Sequence, residues 1–368
     1  MILLTPGPTT VPEHIRQAMA RPTIHHRTPE FEAIFSRARD YLKQVMGVDE
    51  VVMLASSGTG AMEACVLNLT HRRPLTINGG KFGERFTKIA KAYSLDPVEI
   101  VVEWGESVSV ERVRETLLAH PEIDALFVQI SESSTGARHP VEELAKAAKE
   151  INPDIMVVAD GITAVGVEPI DVTHIDALIT GSQKAFMLPP GLAMIGLSEA
   201  ALRKIEAKPA GFYFNLATEL KNQRKNTTAW TAATTLIIGL EAVLREMIEK
   251  TPESVYAKTA KLGQATRAAL RGIGLQEYPK HPAPSLSTFC LEGADTMRKI
   301  LKNEFGVNIA GGQDHLKNKI FRINHMGHVE IYEAAWAVNA IEMVLEKMGV
   351  RSFDGTANRL FMQSFCGA

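Results

Sequence analysis

Between Val51 and Leu197 the chain alternates short apolar runs with stretches of helical periodicity, the pattern of a largely parallel sheet whose strands are joined by crossover helices. Apolar runs at 51–55, 74–78, 98–102, 123–128, 155–159, 177–180 and 192–197 read as strands. Helical periodicity at 59–69, 82–92, 109–118 and 140–150 fills most of the gaps. A further helix is expected ahead of the first of these strands, over 29–46. Thr28 stands at its N-cap, Pro29 in its first turn, and Glu30 and Glu32 at the positive end of its dipole. Phe31, Ile34, Phe35, Ala38, Leu42 and Val45 make its apolar stripe.

After Pro209 the texture changes. The stretch 211–228 looks irregular and leads into helices at 230–248 and 252–272. Two or three short strands and helices at 294–304 and 328–347 follow, which predicts a smaller α+β unit. The 368 residues exceed what one core usually holds, so two domains are expected. We divide the chain into an N-terminal arm (1–15), a large α/β domain with a mostly parallel seven-stranded sheet (16–245), a small α+β domain (246–350) and a tail (351–368) without assignable pattern. No flexible linker separates them, so the boundary is expected at a hinge on a continuous helix.

Charge and cysteine usage narrow the function. The formal net charge is −2, with no basic stripe and no interleaving of aromatic and basic residues, which argues against a nucleic-acid partner. Cys65, Cys290 and Cys366 lack metal-finger spacing, so no metal site is expected, and so sparse a set suits a reducing compartment. The start, MILLTPGPTTVPEH, has no basic leader and is broken by prolines, so it reads as neither signal peptide nor membrane span. Residues 364–368 carry no organelle address. A cytoplasmic location is expected.

Five loops, each just after a predicted strand, carry unusual residues, and the ligand crevice of an open α/β sheet lies beyond the carboxyl ends of its strands. Ser56-Ser57-Gly58-Thr59-Gly60 opens a helix, where small residues and the helix dipole suit an anion, although a capped helix start explains it equally. Asn78-Gly79-Gly80-Lys81-Phe82-Gly83-Glu84-Arg85 sets one aromatic ring among glycines, available to stack on a planar ligand or to fill the core. Glu132-Ser133-Ser134-Thr135-Gly136 is the third loop. Asp160-Gly161 ends a strand with a carboxylate that could face a cationic ring nitrogen, or simply start a turn. The fifth loop is the most specific: Gly181-Ser182-Gln183-Lys184 follows a buried run, and Pro189-Pro190-Gly191 begins the next strand. A lysine so placed is held, not merely solvated.

With these motifs in order, the sequence resembles the class V, fold-type I aminotransferases, close to the alanine–glyoxylate and serine–pyruvate enzymes. The resemblance runs from Thr5-Pro6-Gly7-Pro8-Thr9 to the segment 321–327, nearly the whole chain. It implies that pyridoxal 5′-phosphate is the cofactor, that Lys184 forms its Schiff base and moves the substrate proton, and that Asp160 pairs with the ring nitrogen. It further implies that Ser57, Gly58, Thr59 and Gln183 bind the phosphate, that Phe82 stacks on one ring face and Ile162 packs on the other, and that Ser133 lies near the ring hydroxyl. In relatives a partner subunit finishes the phosphate site. A homodimer is therefore implied, with Thr228 and Thr231 contributed across it, although Thr228 stands where some members have tyrosine. Arg322 matches the arginine that grips the substrate carboxylate, and Gly7 lies in a segment that crosses near the substrate. His25, His26 and Arg27 match a loop near the entrance, and helix capping would account for the histidines as well.

The implied reaction is ping-pong transfer of an amino group from alanine, serine or aspartate to a 2-oxo acid such as glyoxylate or pyruvate. A class V lyase of the cysteine-desulfurase kind is the first rival, but such enzymes need a mobile loop cysteine and usually carry histidine where Gln183 stands. A 2-aminoethylphosphonate transaminase is the second. A nicotinamide dehydrogenase lacks its glycine fingerprint here. A non-catalytic binding protein would not need Lys184, Asp160 and Arg322 together.

Overall fold

The computed structural model describes residues 1–367; Ala368, the end of the expected tail, lies outside the described residues. In chain order the strands are β1 (Ile2–Leu4), β2 (Glu50–Leu54), β3 (Arg73–Asn78), β4 (Val98–Val101), β5 (Ile123–Gln129), β6 (Ser131–Glu132), β7 (Ala137–Arg138), β8 (Met156–Asp160), β9 (Ala177–Gly181), β10 (Ala193–Leu197), β11 (Leu286–Cys290), β12 (Val307–Gly311) and β13 (Ile320–Asn324). Seven of them form one sheet in the order β2-β10-β9-β8-β5-β3-β4, parallel throughout except where β10 runs antiparallel to both neighbours. Every residue of β2, β5, β8, β9 and β10 is buried. Helices cover both faces of such a sheet, so its strands read as continuous apolar runs without alternation. That is why these five are legible in the sequence as unbroken apolar runs.

The helices are α1 (Glu13–Met19), α2 (Pro29–Met46), α3 (Gly58–Leu69), α4 (Gly83–Ala92), α5 (Val110–Ala119), α6 (Val141–Ile151), α7 (Glu199–Ala207), α8 (Leu216–Gln223), α9 (Thr234–Glu249), α10 (Pro252–Gly272), α11 (Ala294–Phe305), α12 (Ile331–Lys347) and α13 (Thr356–Cys366). In α2 the Thr28 hydroxyl accepts from the Phe31 N–H, and the buried residues include the whole expected stripe. No helix among the described residues is long and apolar enough to cross a membrane.

A second sheet, β1-β12-β13-β11, carries its own core, in which Leu4, Leu262, Phe289, Phe321, Ile341 and Phe361 are buried together. β1 therefore pairs with β12, near the other end of the chain, in parallel register from Ile2↔Val307 to Leu4↔Ile309.

Five helices depart from the sequence reading, four in being present at all and one in where it starts. The stretch 211–228, expected to be irregular, contains α8, capped by the Asn215 side chain, which accepts from Thr218 N–H at 2.9 Å. Eight residues are too few for a periodic signal to stand out. α1 and α7 are similarly short. The tail forms α13 because Glu342, fully buried on α12, accepts from the Ala357 N–H at 2.9 Å and pairs with Arg351 at 3.2 Å. The carboxylate thus sits at the helix N-terminus, where the dipole favours it. The helix expected from 230 starts at Thr234 instead.

Candidate active site

Asp160 ends β8, and Lys184 lies just past the end of the adjacent β9, with Asp160 in register against Gln129 on one side and Ile179 on the other. Lys184 is on a turn, not on the strand. Ser182 fixes that turn: its N–H donates to Leu192 O at 2.9 Å, its carbonyl accepts from Leu188 N at 3.0 Å, and its hydroxyl donates to Pro189 O at 2.7 Å. The Pro189-Pro190-Gly191 turn is thereby stapled to the residue two places before the lysine.

The segment 5–9 crosses directly over this turn. Thr9 N–H donates to Gln183 O at 3.0 Å, the Thr9 hydroxyl donates to Lys184 O at 2.7 Å, and the Lys184 amine donates to Pro6 O at 2.6 Å. Gly7, at φ +145°, must be glycine: a Cβ there would lie 2.5 Å from the Lys184 amine nitrogen. Loss of water around the amine pulls the Lys184 pKa down to about 8, against the opposing pull of Asp160.

One pocket is lined by Ser57, Gly58, Thr59, Phe82, Arg85 and Ser131, together with Ser133, Asp160, Ile162, Thr163, Gln183 and Lys184. Asp160 is buried, its carboxylate accepts from Ile162 N–H at 3.0 Å, and burial pushes its pKa up to about 6. Ile162 also crowds the loop that opens α3, since a Cβ on Gly58 would fall 2.3 Å from its Cδ1. At the start of α3, Ser57 occupies the N-cap position without its hydroxyl capping the helix. That leaves the hydroxyl and the unpaired first-turn N–H groups to an outside acceptor. The Gln183 side-chain oxygen is buried without a partner.

Phe82 precedes α4, and its placement comes from Glu132, a wholly buried carboxylate on β6. One Glu132 oxygen accepts from Phe82 N–H (3.1 Å) and Gly83 N–H (2.9 Å), and the other from the Ser134 N–H (3.0 Å) and hydroxyl (2.6 Å). Burial raises the Glu132 pKa against those four bonds. Arg322, on β13, is buried beside this group: Nε and Nη2 donate to Gly311 O at 3.0 and 2.7 Å, and Nη1 donates to the Ser133 carbonyl. Burial brings its pKa down to about 10, and its charge is felt at Lys184.

Two expected groups lie elsewhere. Thr228 and Thr231 line a different pocket, with Tyr213 and Trp230, and the Thr228 hydroxyl donates to Trp230 O. His25, His26 and Arg27 form an outlying loop in which Arg27 donates from its N–H to His25 Nδ1 at 3.2 Å and from Nε to His26 Nε2 at 3.3 Å. Thr28, and neither histidine, caps α2. The sequence reading placed the segment 5–9 near the substrate and singled out the loops 78–85 and 132–136, but gave Arg85, Pro6, Thr9 and Glu132 no role of their own. Arg85 had a signal: three residues after Phe82 on a helix, it shares a face with the ring.

The family described as aminotransferase class V matches residues 11–331. An uncharacterized aminotransferase of Helicobacter pylori is 47% identical over the full length of both chains. A serine–glyoxylate aminotransferase of Methylorubrum extorquens is 30% identical, covering 96% of this chain and 93% of that one. Among solved structures, an aspartate aminotransferase of subgroup IV from Thermus thermophilus is 36% identical with a TM-score of 0.89, covering 94% of this chain and 99% of that one. The chain belongs to the class V aminotransferases, enzymes of the pyridoxal-phosphate fold type I.

Proposed function

We propose that the protein binds pyridoxal 5′-phosphate at Lys184 and transfers the amino group of a small α-amino acid (alanine, serine or aspartate) to a 2-oxo acid such as glyoxylate or pyruvate, in ping-pong order. The carrying observation is the free edge of Arg322. A guanidinium has five N–H donors. Three are engaged by Gly311 and Ser133, which leaves one on each Nη. Two free donors on a buried cation that enters no ion pair among the described residues fit a planar carboxylate, which they would grip bidentately.

The pocket's chemistry suits the cofactor. The uncapped start of α3, the Ser57 and Thr59 hydroxyls and the Gln183 side-chain N–H would hold its phosphate. Phe82 and Ile162 would flank the ring, with Ser133 near its hydroxyl. Bound pyridoxal phosphate supplies an aldehyde that condenses with amines and a cationic ring that draws electrons from the substrate's α-carbon. Asp160, destabilised as an anion by its burial, would be restored by a cationic nitrogen opposite it. Lys184 has an amine whose pKa burial lowers to about 8, so a useful fraction is neutral and would be able to take the α-proton and return it beyond the intervening nitrogen, at the carbon that was the aldehyde's. Gly7 and its neighbours close the site above that amine and limit water.

A second copy of the chain would complete the phosphate end. Phe212 and Tyr213 are exposed and pack on the half-buried Trp230 beside Thr228 and Thr231, with ring centroids 5.0 Å (Phe212–Trp230) and 6.0 Å (Tyr213–Trp230) apart. Such a patch marks an interaction surface. None of the three cysteines lines the pocket, which weighs against a desulfurase: Cys65 is buried, Cys290 half-buried on β11, and Cys366 exposed on α13.

The deciding experiment is a donor–acceptor panel with the holoenzyme: alanine, serine and aspartate against glyoxylate and pyruvate, beside 2-aminoethylphosphonate and cysteine. Keto-acid formation from one of the three amino acids is expected. Preference for the phosphonate, or sulfide release from cysteine, would refute the proposed substrate class.

A further inference from the structure

We infer that Arg85 is a positioning residue for the phosphate end of the cofactor, acting through the hydroxyl of Thr59. The inference rests on the reading of this pocket as a pyridoxal-phosphate site.

Arg85 Nη1 donates to Thr59 Oγ1 at 2.7 Å. A guanidinium has donors and no acceptor, so the threonine oxygen must accept, and its single proton is left for another partner. No second hydrogen bond engages that hydroxyl among the described residues. Thr59 lies in the first turn of α3 and lines the pocket, beside the unused Ser57 hydroxyl. Arg85 therefore turns a free rotor into a donor already set for an anion, which spares the ordering that binding would otherwise require.

The charge of Arg85 points the same way. The neighbouring Glu84 pairs with Lys81 and Lys88, whereas Arg85 enters no ion pair among the described residues. Of the residues lining the pocket, only Arg85 and Lys184 are cationic, and Lys184 is committed to the aldehyde end. The first turn of α3 contributes only the partial charge of its dipole, with no basic side chain of its own. A phosphate dianion in that cradle would find one full positive charge within reach, on Arg85.

The guanidinium is also held in place. It lies 4.8 Å from the centroid of the Phe82 ring, a cation–π contact, three residues along the same helix. The start of that helix is pinned by the Glu132 carboxylate through Phe82 and Gly83. Glu132 thus sets both the ring and the arginine, and the arginine sets Thr59.

The test compares two aldehydes that differ only in the phosphate. Apoenzyme is titrated with pyridoxal phosphate and with pyridoxal, following the visible absorbance of the lysine-linked aldehyde, for wild type, Arg85→Met, Arg85→Lys, Thr59→Val and the double variant Arg85→Met/Thr59→Val. Arg85→Met should raise the Kd for pyridoxal phosphate about ten-fold or more, as expected for losing a charge-assisted contact, and change that for pyridoxal by less than about two-fold. Arg85→Lys should recover part of the loss. Thr59→Val should show the same phosphate-selective defect and give less than additive loss in the double variant. Equal losses for both aldehydes, an indifferent Arg85→Met, or full additivity would overturn the role of Arg85. Should Arg85→Met fail to fold, Thr59→Val and Arg85→Lys carry the same comparison. A wild type that develops no absorbance with either aldehyde would instead overturn the cofactor reading itself.

Discussion

The hydroxyl of Thr9 donates to the backbone carbonyl of Lys184 at 2.7 Å, which couples the N-terminal segment to the turn that carries the reactive amine. The same carbonyl accepts from Met187 N–H at 3.0 Å, so it keeps one bond if Thr9 is altered. Thr9→Val should therefore lose roughly 1 kcal/mol, the net worth of one buried hydrogen bond. The expected result is a fall in kcat of up to about ten-fold with KM little changed, while Thr9→Ser stays near wild type. A KM effect without a kcat effect would place Thr9 outside the positioning of the lysine.

Lys184→Ala should abolish the visible absorbance of the holoenzyme and nearly all transamination. Cofactor held only through the phosphate cradle should then be removable by dialysis. A variant that keeps the wild-type spectrum would show that another lysine carries the cofactor.

Asp160 makes a prediction about pH. Its pKa in the folded protein is raised by burial to about 6 from an ordinary 3.8, so the native state holds this proton more tightly than the unfolded chain does. Apoprotein stability should fall as pH rises from about 4 to 6 and stay lowered above that, by something of the order of 1–3 kcal/mol. Asp160→Asn removes the cost. Its apoprotein should melt above wild type at pH 7.5 and level with it near pH 4, while turnover of the holoenzyme drops about 100- to 1,000-fold for want of the electrostatic partner. Equal melting temperatures at pH 7.5 would count against the strained carboxylate.

Arg322→Lys keeps a charge and loses the fork. KM for donor and acceptor alike should rise by the equivalent of roughly 1.5–3 kcal/mol, and cofactor affinity should hold. Loss of cofactor in place of substrate affinity would mean that the free guanidinium edge serves the phosphate.

The sequence showed the large sheet because five of its strands are buried along their whole length and so carry unbroken apolar runs. It showed the loops because glycines, prolines and polar residues interrupt those runs at one edge. It did not show α13, whose placement depends on the buried Glu342 carboxylate finding Ala357 across the fold. It brought the segment 5–9 and the loop from Glu132 to the site but not what Thr9, Pro6 or Glu132 does there, since each acts through a bond to backbone or to a distant loop that no local pattern records. Phe82 was legible as a ring among glycines. The carboxylate beneath it was not.

β1 has one strand partner, β12, and β12 ends at Gly311, whose carbonyl takes two of the Arg322 donors. A ribosome releases Ile2 long before Val307. The opening residues must therefore wait, unpaired and apolar, until most of the polypeptide has emerged, and only then can the segment over Lys184 be drawn taut. Nascent chains stopped before residue 307 should fold their large sheet yet remain unable to assemble a working centre, a vulnerability to proteolysis and to wrong pairing that ends with synthesis.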